Sequence, residues 1–136
     1  MTKMLFVILC NLFISQSKAF LNYENVQIYP IDSVFSVRQD KRINTLTLYF
    51  KVTYTNACYT LSANSVNHNI NNFNIYVKHN VNQSFGLCTM ALIHRTCELT
   101  IELPSDGRYN LIDQSTQNQI GALMIIDRIA FLDSQN

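Results

Sequence analysis

Apolar and polar residues alternate most regularly over residues 45–55. Leu46, Leu48, Phe50, Val52 and Tyr54 fall on one side of an extended chain, and Thr45, Thr47, Tyr49, Lys51, Thr53 and Thr55 on the other. A period of two in β-branched and aromatic residues marks a half-buried strand. The run leads directly to Cys58. A second alternation puts Cys97, Leu99, Ile101 and Leu103 inward and Thr96, Glu98, Thr100 and Glu102 outward. A third sets Phe73, Ile75 and Val77 against Asn74, Tyr76 and Lys78.

The remaining segments fill in around these three. Val26 and Ile28 share a face ahead of Pro30, which suits an edge strand or a bend, and residues 34–37 resume beyond it. Residues 38–44 (RQDKRIN) predict a turn, residues 64–72 (NSVNHNINN) an Asn-rich loop, and residues 80–84 another turn. Residues 85–94 (FGLCTMALIH) are apolar on both faces, and their length and setting predict a buried strand rather than a short helix. Pro104-Ser105-Asp106-Gly107 predicts a turn, since Pro sets φ and Gly tolerates positive φ. Residues 108–112 and 120–126 predict strands on either side of a polar loop, and the tail 127–136 fits a short strand or a helical turn. About seven or eight short strands without a long helical period predict an all-β, antiparallel sandwich or barrel.

The segment Leu103-Pro-Ser-Asp-Gly107-Arg-Tyr109-Asn-Leu111 follows one strand and opens the next. It resembles the tyrosine corner of Greek-key sandwiches, in which a tyrosine hydroxyl bonds back to the preceding corner. With NACY and LCTMAL earlier in the chain, it is similar to small exported bacterial immunoglobulin-like domains. The resemblance implies an immunoglobulin-like Greek-key β-sandwich, with Tyr109 and Gly107 as structural residues, and no activity.

The first 19 residues have the order of a cleavable export signal. Lys3 precedes an apolar run over residues 4–14 (MLFVILCNLFI), and Ser17 and Ala19 supply the small residues of a cleavage site. The run falls short of the roughly 20 residues that a bilayer span requires. Cleavage after Ala19 leaves residues 20–136 as a single domain, periplasmic or secreted. Without Lys3 and Lys18, 8 basic residues face 9 acidic ones, a net charge of −1. Scattered charge of that size leaves no footprint for nucleic acid or for an anionic membrane.

Export also bears on Cys58, Cys88 and Cys97, for which an oxidising compartment predicts one disulfide and one thiol left over. Cys88–Cys97 is awkward in hairpin register. Cys58–Cys88 is preferred to Cys58–Cys97, because Cys97 falls in the inward apolar register of a buried free thiol.

Candidate chemistry is thin. His68, His79 and His94 are spaced by 11 and 15 residues, which matches no compact metal signature, so no metal or other cofactor is expected. Glu98 and Glu102 share a strand face about 13 Å apart, too far for a retaining acid pair. Neither GxSxG nor HExxH is present, and 3 glycines cannot make a glycine-rich phosphate cradle. Asn82-Gln83-Ser84 is a glycosylation sequon of the kind an Asn-rich chain produces by chance.

What remains is an outward stripe, Tyr49, Lys51 and Thr53, with Tyr76 and Lys78 on another strand. If those strands neighbour each other, the five form a contact surface for a protein or a glycan; cross-strand pairing on a solvent face is the plainer account. The chain is therefore expected to be an exported, non-enzymatic binding module. One alternative is a small secreted hydrolase, using Cys97 or a histidine with a carboxylate, or an inhibitor. Another is a structural subunit exchanging strands through Ile129, Phe131 and Leu132.

Overall fold

The computed structural model describes residues 26–84 and 86–133. The expected leader, residues 1–19, and Phe85 lie outside the described residues. Nine strands are described and no helix: β1 (Val26–Tyr29), β2 (Ser33–Asp40), β3 (Thr45–Tyr54), β4 (Tyr59–Asn71), β5 (Asn74–Gln83), β6 (Ile93–Glu102), β7 (Gly107–Asp113), β8 (Gln119–Ile126) and β9 (Ile129–Leu132). They form two sheets packed together. The smaller is β2-β3-β6, antiparallel throughout. In the larger, β5 pairs with β4 along one side and with β1 and β7 in succession along the other, and β8 and β9 follow β7.

One pair differs from the antiparallel expectation: β5 and β7 run parallel, Asn74 opposite Asn110 through Val77 opposite Asp113. The chain leaves β5 for the other sheet, runs back along β6 and returns. Two reversals restore the original direction, so β7 arrives parallel.

The alternation in β3 decides the core. Leu46, Leu48, Phe50, Val52 and Tyr54 are buried, and across the sandwich they meet Ile75, Val77 and Val81 of β5, Leu111 of β7, and Leu123 and Ile125 of β8. Each such side chain contributes about 1.5–3 kcal/mol on leaving water. The disulfide is Cys58–Cys88, with Cα atoms 5.4 Å apart, and Cys97 is a buried free thiol.

The Asn-rich stretch is a correction. It was expected as a loop, yet it belongs to β4, the longest strand described, paired with β5 from Tyr59–Gln83 to Asn71–Asn74. The β4–β5 hairpin turns tightly on Asn72 and Phe73, both at positive φ (49° and 61°), the geometry that matches strand twist in a two-residue loop. Phe73 is bulky for that conformation, and its ring is engaged elsewhere: it lies 5.4 Å from the Tyr109 ring and against Gly107. Gly107 itself has φ +152°, and a Cβ there would come within 2.9 Å of the Phe73 ring. The Tyr109 hydroxyl donates to the Ser105 carbonyl at 2.8 Å, back across the corner.

Two further expectations change. Residues 86–92 are not a buried strand, for Leu87, Met90 and Leu92 are exposed and β6 begins only at Ile93. This stretch carries the chain between sheets and is held at Cys88 and by the Ala57 N–H donating to the Thr89 carbonyl at 3.0 Å. Residues 80–83 continue β5 rather than turning, because β1 and β4 pair with them from both sides. The tail forms β9 against β8, turning at Asp127 and Arg128, whose N–H groups both donate to the Asp106 carboxylate.

Candidate functional site

The outer face of the β2-β3-β6 sheet carries aromatic and polar side chains that the core does not use. Along β3 it carries Tyr49, Lys51 and Thr53, opposite Glu98, Thr96 and His94 of β6. On the β2 side the ladder is interrupted: Val34 pairs with Phe50 and Ser36 with Tyr49, leaving Phe35 as the extra residue of a β-bulge. A bulge re-aims a side chain without losing the register beyond it. Val34 and Val37 both pack against the core, while Phe35, 44% exposed, stands on the outer face. Its ring is 6.3 Å from that of Tyr49, and the Lys51 ammonium lies over it at 5.3 Å from the centroid.

Beside the rings runs a hydrogen-bonded chain of three groups. Asp32 is held to β3 through its backbone N–H, which donates to the Lys51 carbonyl at 2.9 Å. The Thr53 hydroxyl donates to the Asp32 carboxylate at 2.7 Å, and His94 Nδ1 is 3.0 Å from the same hydroxyl oxygen. A hydroxyl has one proton, here given to the carboxylate, so His94 Nδ1–H is the donor to Thr53. In a neutral ring that leaves Nε2 as an acceptor. Asp32, Lys51, Thr53, His94, Arg95 and Thr96 border an open cleft of about 310 Å³. Farther along the same face, the Thr47 and Thr100 hydroxyls bond at 2.9 Å, an ordinary cross-strand pair.

The sequence-derived contact residues divide into two groups. Tyr49, Lys51 and Thr53 share this face. Tyr76 and Lys78 do not join them: they are on β5 in the other sheet, half-buried, opposite Asn69 and Asn67 of β4. Because Ile75, Val77 and His79 of β5 point into the core, Tyr76 and Lys78 face outward on the far side of the sandwich. Sequence reasoning missed Phe35, Asp32 and the use of His94. The signal for Phe35 was present, since Val34, Phe35 and Val37 break the period of two where an extra residue is inserted.

The other candidates for chemistry are buried or scattered. His79 is fully buried, with Nε2 2.8 Å from the Tyr54 hydroxyl and 4.0 Å from Cys97 Sγ. Burial pushes the Cys97 thiol up to about 11, so it is protonated at neutral pH. Burial, followed by the charges of Cys97 and Tyr29, likewise raises Tyr54. A nucleophilic thiol needs access and a lowered pKa, and Cys97 has neither. His68 is exposed on β4, and the described residues hold no group of three His, Cys, Asp or Glu side chains placed to bind a metal. Asn82 of the sequon lies inside β5 with strands on both sides rather than in a surface loop. Comparison with protein-family models, with curated proteins and with solved structures returns no match.

Proposed function

We propose that the protein is an exported, non-enzymatic binding module whose contact surface is the outer face of β2, β3 and β6. The observation that carries this reading is the bulge at Phe35, which supplies an exposed ring to a face already holding Tyr49, Lys51 and the Asp32–Thr53–His94 chain. The leader pattern of residues 1–19 and the Cys58–Cys88 cross-link support passage into an oxidising compartment, periplasmic or extracellular. An immunoglobulin-like Greek-key scaffold is supported by the Tyr109–Ser105 bond and by β3 pairing with β6 while the intervening β4–β5 hairpin joins the other sheet.

A hydrolase is the less favoured reading because of the order of the three groups. In a nucleophilic relay the imidazole stands between hydroxyl and carboxylate and takes the hydroxyl proton. Here the hydroxyl stands in the middle and gives its proton to Asp32. Strand exchange through β9 is also less favoured. The Gln39 side-chain amide donates to the Arg128 carbonyl at 2.7 Å and accepts from the Ala130 N–H at 3.1 Å, which occupies backbone groups that an added strand would need.

The test is hydroxyl-radical footprinting of the full chain expressed with its own leader, with and without the envelope or culture material of the source cells. Protection of Phe35 and Tyr49 is the expected result. Labelling that is unchanged there, or protection at Tyr76 alone, rejects this face.

A further inference from the structure

We propose that the β2-β3-β6 face binds a neutral oligosaccharide bearing adjacent free hydroxyls. This rests on the reading of that face as the contact surface and names the ligand class.

Three features point to a sugar. First, the acceptors are fixed in advance. Asp32 is anchored through its backbone to Lys51 and through its carboxylate to Thr53, and His94 is oriented by donating to the same Thr53 oxygen. A carboxylate has about four acceptor sites, and the Thr53 bond uses one. Asp32 thus keeps free acceptor sites on the cleft, and the His94 ring lines the same cleft as a second polar group for a sugar hydroxyl, which can donate or accept. Lys51 adds a donor for a hydroxyl or ring oxygen.

Second, an apolar surface adjoins these acceptors. Phe35 and Tyr49 stand 6.3 Å apart with planes inclined at 47°, and Phe35 keeps 44% of its surface exposed. Aromatic rings bury large area at low entropic cost, and the C–H face of a pyranose is the apolar partner that also carries hydroxyls at its rim. The row from Tyr49 to Thr53 spans about 13 Å on strand geometry, room for a short chain of sugars rather than a single one.

Third, the charge on this face is mixed. Asp32 and Glu98 are offset by Lys51, by Arg95 at the cleft and by Arg38 beside Thr47, so neither a polyanion nor a polycation meets a surface of one sign. A purely apolar partner would have to bury the hydrogen-bonded chain without replacing its contacts with water, at a cost of about 1–3 kcal/mol for each unsatisfied group.

The experiment is calorimetric titration of the leader-processed protein with cellohexaose, xylohexaose and chitohexaose, and with heparin and polygalacturonate oligosaccharides. At least one neutral hexasaccharide should bind. Phe35→Ala and Asp32→Asn should each weaken that binding by about tenfold or more, equal to about 1.4 kcal/mol, while Tyr76→Ala on the opposite face leaves it unchanged. Both substituted positions are solvent-exposed, and a backbone amide NMR spectrum confirms that each variant stays folded. Three results overturn the proposal: no neutral sugar binds, only the acidic oligosaccharides bind, or neutral binding is indifferent to Phe35 and Asp32. Footprinting protection at Phe35 and Tyr49 alongside any of these keeps the contact face and rejects the sugar.

Discussion

Thr53 and Tyr54 are neighbours in sequence, and each anchors a cluster that includes a histidine. Thr53 faces outward with Asp32 and His94; Tyr54 faces inward with His79 and Cys97. The side-chain types are comparable and the circumstances opposite. The first cluster is open to water, whereas Tyr54, His79 and Cys97 are between 0% and 4% exposed. One step along a strand separates a group open to solvent from a brace sealed in the core, because the side-chain period of two sends consecutive residues to opposite faces. A histidine near a nucleophile or a carboxylate therefore says little until its face is known.

Truncating the two residues is the strongest way to break this comparison. Tyr54→Ala removes a fully buried ring and the hydroxyl bonded to His79, and should cost about 3–5 kcal/mol in chemical denaturation. Thr53→Ala removes only a half-buried hydroxyl at the sheet surface and should stay within about 1 kcal/mol. If the costs come out equal or reversed, the outer cluster is part of the stabilising structure.

Next in size is the cross-link at the same end of the sandwich, where Cys58 follows β3. Its sequence separation of 30 residues predicts a loss of about 3–4 kcal/mol in the double variant Cys58→Ala/Cys88→Ala, or on reduction. A shift in the urea midpoint worth less than about 1 kcal/mol would mean that packing alone holds the ends of β3 and β5.

A smaller effect follows from the inner cluster's protons. The Cys97 thiol, raised from 9.0 to about 11 by burial, holds its proton more tightly folded than unfolded. Its contribution to stability is complete below about pH 9 and is lost as pH rises through about 11, by up to about 1.4 kcal/mol per pH unit. Tyr54, raised by burial, adds to the loss with the same sign at higher pH. Cys97→Ala should flatten the decline between pH 9 and 11, and an identical pH profile would show the thiol to be solvated. In the same window the native thiol should resist alkylation that is rapid in urea.

Much of the inner face was legible in the sequence, and little of the outer one. Leu46 to Tyr54 and Cys97 to Leu103 announce their faces by alternation, and alternation is what burial selects. The Asn-rich part of β4 was not legible because asparagine has a low strand propensity, and pairing with β5 overrides it. Residues 86–92 misled in the other direction, since their apolar side chains stay exposed in a crossing whose ends are tied down. The proposed contact face eluded the pattern for a third reason. Asp32 and Phe35, at the start of β2, and His94, on β6, are brought together only by register on β3 and by a bulge, and Tyr76 and Lys78 shared residue types with Tyr49 and Lys51 without sharing a sheet.

The smallest expected change is at Phe35, and it is the most informative about the outer face. Phe35→Ala leaves Val34 and Val37 against the core and the ladder on either side of the bulge paired as before. What it removes is an exposed ring and its contact with the Lys51 ammonium, worth about 0.5–1 kcal/mol at an exposed site. Relief of exposed apolar surface offsets part of that, so denaturation should register a change within about 0.5 kcal/mol. Val34→Ala, one residue earlier, should cost more, because that side chain packs inward and lies against Gly121 on β8. If Phe35→Ala were the more damaging of the two, the ring would be structural and the bulge would serve the fold. If the order is as expected, the fold gains little from placing an aromatic ring there, and the bulge is left to be explained by what the ring touches from outside.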